Sequence, residues 1–305
     1  MQLPRTATRQ SAVATPVHPL PKPSNPEENP LKNPALPTDI KALKQGPPLP
    51  APSLQPFKAP TVTGLPALPR PKPTASPNNI LVIIPTENSF KTTLITKHLK
   101  KAAQEQNIKL CAFLTVPAES DAGEQPYDTA GLNGAQNRVI NVVGKLGSSA
   151  EWRGKVEKLL EEHGIGTLMV GAVENFIMRP KMGQTAVPVD YGIIVLCRIP
   201  LAGSTNSKAW EWEVGISQGV KAPVEYWKFA ESFGFDDGDA ARNKGKVTVG
   251  KVLAANVPGL DHRDWHKVLA DKSRYDILTE AMQKMPVPWP RAATGAGPTT
   301  ATSSR

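Results

Sequence analysis

The chain has 305 residues, 32 prolines and a net charge of +9. Twenty of those prolines fall in the first 80 residues, which hold one aromatic, Phe57, and no apolar run, so folding is expected to be confined to about 210 residues. Residues 1–78 carry nine Lys/Arg against three Asp/Glu. The basic balance is therefore largely a property of the tail and gives little reason to expect nucleic acid as a partner. Cys111 and Cys197 stand alone in apolar runs, which excludes a disulfide framework and a cysteine-held zinc. No run approaches the roughly 20 apolar residues of a membrane span, and MQLPRTATRQ lacks the apolar stretch of a secretory signal. A soluble intracellular protein is the expected class.

In chain order, residues 1–78 repeat Leu-Pro and Pro-x-Pro units, such as Leu65-Pro66 and Leu68-Pro69-Arg70-Pro71-Lys72-Pro73. Proline fixes φ and disfavours helix before it, so this stretch is expected to be disordered with polyproline II character. It serves either as a solvated linker or as a docking strip for proline-recognition modules. Ile80–Ile84 reads as a strand buried on both faces, and Thr86–Gln106 as a helix with Phe90, Leu94, Ile95, Leu99 and Ala102 on one side. A strand over Leu110–Val116 follows, then helices over Leu132–Leu146 and Trp152–His163. Strands are expected at Thr167–Val173, Tyr191–Cys197, Trp210–Ile216 and Lys246–Leu253, with helices at Val224–Phe233 and Ser273–Met285. The alternation predicts an α/β layer fold, and the half-exposed pattern of the later strands predicts a mixed sheet. Residues 291–305 are expected to be a second disordered tail.

Walker, nucleophile-elbow and zinc-protease motifs are absent. Three segments carry chemistry instead. Thr86-Glu87-Asn88-Ser89-Phe90-Lys91 joins a strand to a helix start, where backbone N–H groups, two neutral side chains and an ammonium suit an anion. An ordinary capped helix gives the same pattern. Gly134-Ala135-Gln136-Asn137-Arg138 allows close backbone approach and adds a guanidinium, although tight helix–sheet packing also uses small residues. Glu174 follows an apolar strand at the edge where α/β folds place ligands, in either a structural or a metal-binding role.

Together these segments resemble the inosine/xanthosine triphosphatases. Thr86-x-Asn88-x-x-Lys91 is similar to their opening motif and Gly134-Ala135-Gln136-Asn137-Arg138 to their Gly-Ala-x-Asn-Arg helix. Glu174 matches their acidic residue after a central strand, and Val247-Thr248-Val249-Gly250 and Ser273-Arg274 resemble their C-terminal elements. The likeness spans about residues 79–286. Ala172–Ile177, Val247–Leu253 and Asp264-Trp265-His266 bring it nearer to the eukaryotic proline-rich and coiled-coil-containing branch.

The resemblance implies an elongated mixed sheet flanked by helices with a central cleft, a homodimer, and an α/β domain over 79–290. It implies a cleft for a purine nucleoside triphosphate, ITP or XTP, with Mg²⁺ or Mn²⁺. Glu174 would hold the metal or orient water, and Lys91, with the Thr86/Asn88 turn, Arg138 and Arg274, would hold phosphates. Its eukaryotic branch implies a non-catalytic role as the alternative, cytoplasmic with Golgi association, in the secretory pathway or with a kinase-regulatory partner.

Two departures bear on hydrolysis. The carboxylate pair before Gly-Ala-x-Asn-Arg is replaced by Thr129–Asn133, leaving Asp128, Glu124 or Glu87 as substitutes. A small residue two positions after the strand-end Glu is replaced by Phe176, which strand alternation places on the side of Glu174 and which is expected to block the cleft.

Overall fold

A computed structural model describes residues 29–53, 57–106, 108–180, 187–202 and 207–290. Residues 1–28 and 54–56 of the expected N-terminal tail, and all of the expected 291–305 tail, lie outside the described residues. The chain is an α/β protein with a mixed sheet flanked by helices. A short helix α1 (Ile40–Leu43) precedes β1 (Ser76–Ile84), α2 (Ser89–Glu105), β2 (Lys109–Thr115) and the two-residue β3 (Gln125–Pro126). Next come α3 (Thr129–Ser148), α4 (Ala150–His163), β4 (Ile165–Met178), β5 (Val189–Pro200), β6 (Glu211–Ile216) and β7 (Val220–Lys221). The chain closes with α5 (Val224–Ser232), β8 (Lys244–Gly245), α6 (Val249–Asn256), α7 (Trp265–Leu269) and α8 (Arg274–Lys284). Among the described residues, no helix is long and apolar enough to cross a membrane.

The strands run in the order β2-β1-β4-β5-β6, with β7 also on β5. The β1 pairings are parallel and those of β5 antiparallel. β4 is 14 residues long because its sequence is apolar on both faces nearly throughout. It pairs with β1 only as far as Val170, whereas its pairing with β5 continues to Met178. The second half of β4 therefore projects beyond the end of β1 as a ribbon with β5, whose other edge carries β6 and β7. One face of the sheet packs on α3 and α4, around Val139, Val143, Leu146 and Leu160. The other packs on α2 and α8, around Ile95, Leu99, Leu278 and Met282. A separate cluster of α5, α6 and α7 gathers around Tyr127, Ile177, Tyr226 and Trp265 at the ribbon end. The cleft opens where this cluster meets the sheet.

Two expectations differ from the structure. Residues 246–253 form no long strand. Thr248 caps a helix by accepting from Lys251 N–H at 3.1 Å, and Val249, Val252 and Leu253 are buried. The β-branched alternation is overridden because a helix buries all three against the cluster around Trp265.

The expected free tail also differs over residues 29–78, whose described parts lie along the domain. Leu36 and Leu43 enter the Trp265 cluster and Leu68 the core under α3 and α4. Tyr226 Oη donates to Pro37 O at 2.7 Å, Gln45 N–H to Leu269 O at 2.7 Å, and Leu49 pairs with Gly219 as a bridge. Ser76 already belongs to β1. A search for apolar runs misses such a strap, because its leucines insert one at a time. The prolines between them restrict the chain beforehand, so less entropy is lost on seating.

Candidate functional site

Asn88 and Lys91 are placed by the turn between β1 and α2. Asn88 Oδ1 accepts from Lys91 N–H at 3.0 Å, capping α2, while Thr86 Oγ1 accepts from Asn88 N–H at 3.2 Å. The cap is thus Asn88, and Thr86 shapes the turn before it. Lys91 Nζ donates to Val173 O at 2.7 Å and lies 3.4 Å from Glu174 Oε2. Arg138, in the middle of α3, pairs through Nε with Glu174 Oε1 and donates to Ala118 O. Burial pushes the Glu174 carboxyl up, but Lys91 and Arg138 outweigh it and hold it below the usual carboxylate range. Burial pushes the Lys91 ammonium down; Arg138 and Arg274 act in the same direction, against Glu174. Glu174 is therefore an ionised carboxylate closed between two cations.

Beside this triad lies a cleft of about 290 Å³. Its walls include Asn88 and Lys91 at the start of α2, Thr248 and Lys251 at the start of α6, and Arg274 and Tyr275 at the start of α8. Three helix N-termini, each the positive end of a dipole, meet at one opening. Lys91, Lys251, Arg263 and Arg274 face it against Glu124 and Asp190. The rings of Phe90 and Tyr275 pack 4.2 Å apart and hold the starts of α2 and α8 together.

Of the six residues expected at the site, Asn88, Lys91 and Arg274 line the cleft and Thr86 braces Asn88. Glu174 and Arg138 lie outside its lining and are joined to it through Lys91.

Arg274 is held by a network that sequence reasoning did not assemble. Its guanidinium donates to Asp190 Oδ2 and its backbone N–H to Asp264 Oδ1 at 2.7 Å, while Ser273 Oγ donates to Asp264 Oδ2 at 2.7 Å. His266 Nε2 lies 3.3 Å from the same Asp190 oxygen and its Nδ1 is buried without a partner. Burial, and then Arg274, push His266 down to about 4 against the pull of Asp190, so the ring is neutral and donates from Nε2. Burial pushes the Asp190 carboxyl up, but Arg274 and His266 outweigh it and hold it below its usual value. Asp190 and Lys251 carried no signal of their own in the sequence. His266 was visible only as part of Asp264-Trp265-His266.

Of the expected carboxylate substitutes, Asp128 and Glu87 do not line the cleft, whereas Glu124 does. Asp128 accepts from Arg179 N–H and Nε, both at 2.8 Å, and Glu124 pairs with Lys251 at 2.6 Å. Glu87 is exposed on the turn. Among the described residues no three His, Cys, Asp or Glu side chains gather as a metal set. The carboxylates at or beside the cleft, Glu124, Glu174 and Asp190, are each paired with a cation, whereas a protein-held Mg²⁺ or Mn²⁺ wants open oxygen ligands. Glu174, expected to bind metal, is engaged by Lys91 and Arg138.

Phe176 also departs from expectation. It does share the side of Glu174, but that side faces α3, whereas Asn175, between them, lines the cleft. The Phe176 ring fills the slot that Gly131 leaves, where a Cβ would lie 2.5 Å from its Cγ, and it stacks on Tyr191 at 5.8 Å. It is a core residue and does not plug the cleft. Phe176→Ala is expected to cost about 3–5 kcal/mol in urea unfolding and to leave ITP and XTP turnover as in the parent. A gain of turnover with unchanged stability would place the ring in the cleft after all.

No family model matches the chain, and no curated protein does. Among solved structures the chain is similar to one titled "Crystal structure of protein VC0702 from Vibrio cholerae". The two are 13% identical, with 67% of this chain and 90% of that chain covered and a TM-score of 0.39.

Proposed function

We propose that the cleft binds a purine nucleoside triphosphate of the ITP or XTP class, and that hydrolysis is slow or lost, on a fold of the inosine-triphosphatase type. The observation that carries this reading is the meeting of three helix N-termini and the cations Lys91, Lys251, Arg263 and Arg274 at one cleft. Dipole ends and cations together favour a polyanion, and the volume is close to the lower end for small-ligand pockets. Slow or absent hydrolysis follows from Glu174. With Lys91 and Arg138 on its oxygens, it is poorly placed to take a proton from water or to hold a metal.

The same engagement of Glu174 favours, as a second reading, a non-catalytic protein that uses the cleft for recognition. The sequence resemblance would then point to the secretory pathway or protein kinase A signalling.

Titration calorimetry of the full chain with ITP, XTP, ATP and pyrophosphate, with and without Mg²⁺, tests the proposal. Binding is expected in both conditions, and Lys91→Ala is expected to weaken it by about 1–3 kcal/mol, the range for a charge-assisted contact. Equal affinity in parent and variant, or no binding at millimolar ligand, would retire the site. Turnover of ITP at about 1 per second or faster would overturn the slow-hydrolysis part alone.

A further inference from the structure

The last part of α3 breaks a local rule. Gly144 and Gly147 lie inside the helix, where each costs about 1 kcal/mol relative to Ala. Gly147 is explained by what touches it, whereas a Cβ on Gly144 would make only an ordinary contact. A Cβ on Gly147 would meet Pro66 Cβ at 2.8 Å and Pro66 O at 2.9 Å, and its three nearest atoms all belong to Pro66. A Cβ on Gly144 would meet Leu65 Cδ2 at 3.6 Å. Leu68 is buried in the core between the sheet and α3/α4, and Lys72 Nζ reaches Glu161 Oε1 of α4 at 3.5 Å. The seated stretch is Leu65-Pro66-Ala67-Leu68-Pro69-Arg70-Pro71-Lys72.

Polyproline II has three residues per turn, so Leu65 and Leu68 fall on one face of such a segment. Two apolar insertions one turn apart, a proline against small residues, and a flanking cation on an acidic partner are the parts of proline-peptide recognition. We infer that the α3–α4 surface is a recognition groove for a Leu-Pro-x-Leu-Pro peptide in polyproline II conformation. Residues 65–69 occupy it in cis, and a proline-rich partner carrying the same motif occupies it when this segment gives way. Gly144, Gly147 and Glu161 are not among the residues lining the cleft, so the groove and the nucleotide proposal stand or fall separately.

The tether gives the cis segment an effective concentration in the millimolar range, so the parent should bind an added peptide poorly. The test uses the full chain and a fluorescein-labelled peptide of residues 61–73, followed by anisotropy. Leu65→Ser with Leu68→Ser opens the groove, and the double variant is expected to bind the peptide at least about ten-fold more tightly than the parent does. Leu65 is half-buried, so Leu65→Ser alone serves if the double variant does not melt cooperatively. Adding Gly147→Leu, which fills the Pro66 seat with a good helix former, should abolish the gain. A peptide with both leucines changed to serine should not bind. Equal binding by parent and opened chain, no binding by a folded opened chain, or indifference to Gly147→Leu or to the serine peptide would each overturn the inference.

Discussion

Glu174→Gln is expected to lower the melting temperature by about 10 °C and, at the same time, to tighten triphosphate binding. Glu174 is buried and is the shared anion of Lys91 and Arg138. Glutamine leaves two neighbouring cations uncompensated in a poorly hydrated place, and breaking a buried ion pair from one side costs about 3–5 kcal/mol. For a domain of this size, each kcal/mol is worth about 2–4 °C. A bound triphosphate supplies the missing negative charge, so the variant should regain much of its stability with ligand and hold it more tightly than the parent does. A carboxylate that held metal or activated water would behave in the opposite way, with binding weakened and turnover abolished. Thermal melts with and without ITP, alongside calorimetry, separate the two outcomes.

The second large effect is on acid stability. His266 is neutral and buried against Asp190 and Arg274, with a value of about 4 in place of the usual 6.5. As pH falls through 6.5, the unfolded chain takes up a proton that the folded chain refuses, so stability must fall with pH down to about 4. A shift of that size corresponds to about 3 kcal/mol, most of it lost between pH 6.5 and 4. Glu174 and Asp190 act with the same sign at lower pH. Both are held below their usual values, and their contributions are lost as pH falls through the folded values. Urea midpoints at pH 7.5, 6 and 5 should decline in that order. His266→Gln should flatten the slope above pH 5 and leave the steeper fall below it. A parent whose midpoint is unchanged from pH 7.5 to 5 would show that His266 is not held neutral.

Much of the sheet was legible because its signals are local. Ile80–Ile84 is a short β-branched run with no polar partner and Thr167–Val173 a mostly apolar one, and both are strands covered on two faces. The turn at Thr86–Lys91 was legible for a similar reason, since a buried strand followed at once by helical spacing reads as a strand-to-helix junction, although the capping role of Asn88 was not. The site residues at Asn88, Lys91 and Arg274 do reach one cleft. Their electrostatic partners were not legible. Nothing in Val189-Asp190-Tyr191 marks Asp190 as the holder of Arg274, because that pairing joins positions 84 residues apart. The helix at Val249–Asn256 was misread as a strand because its buried side is defined only by Trp265 and its neighbours.

The sequence by itself determined the α/β class, the mixed character of the sheet, and the cationic turns that open α2 and α8, since each depends on residues within one or two turns of one another. Tertiary structure alone decided the rest. It set Glu174 between Lys91 and Arg138, ion-pairing three segments far apart in the chain. It turned Phe176 under Gly131, because the shared side of the strand faces α3 and not the cleft. It seated Leu36, Leu43 and Leu68 on the domain, where a proline-rich composition had indicated a free tail. In each case the deciding quantity is burial against a distant surface. Neither residue type nor spacing carries that information before the chain has folded.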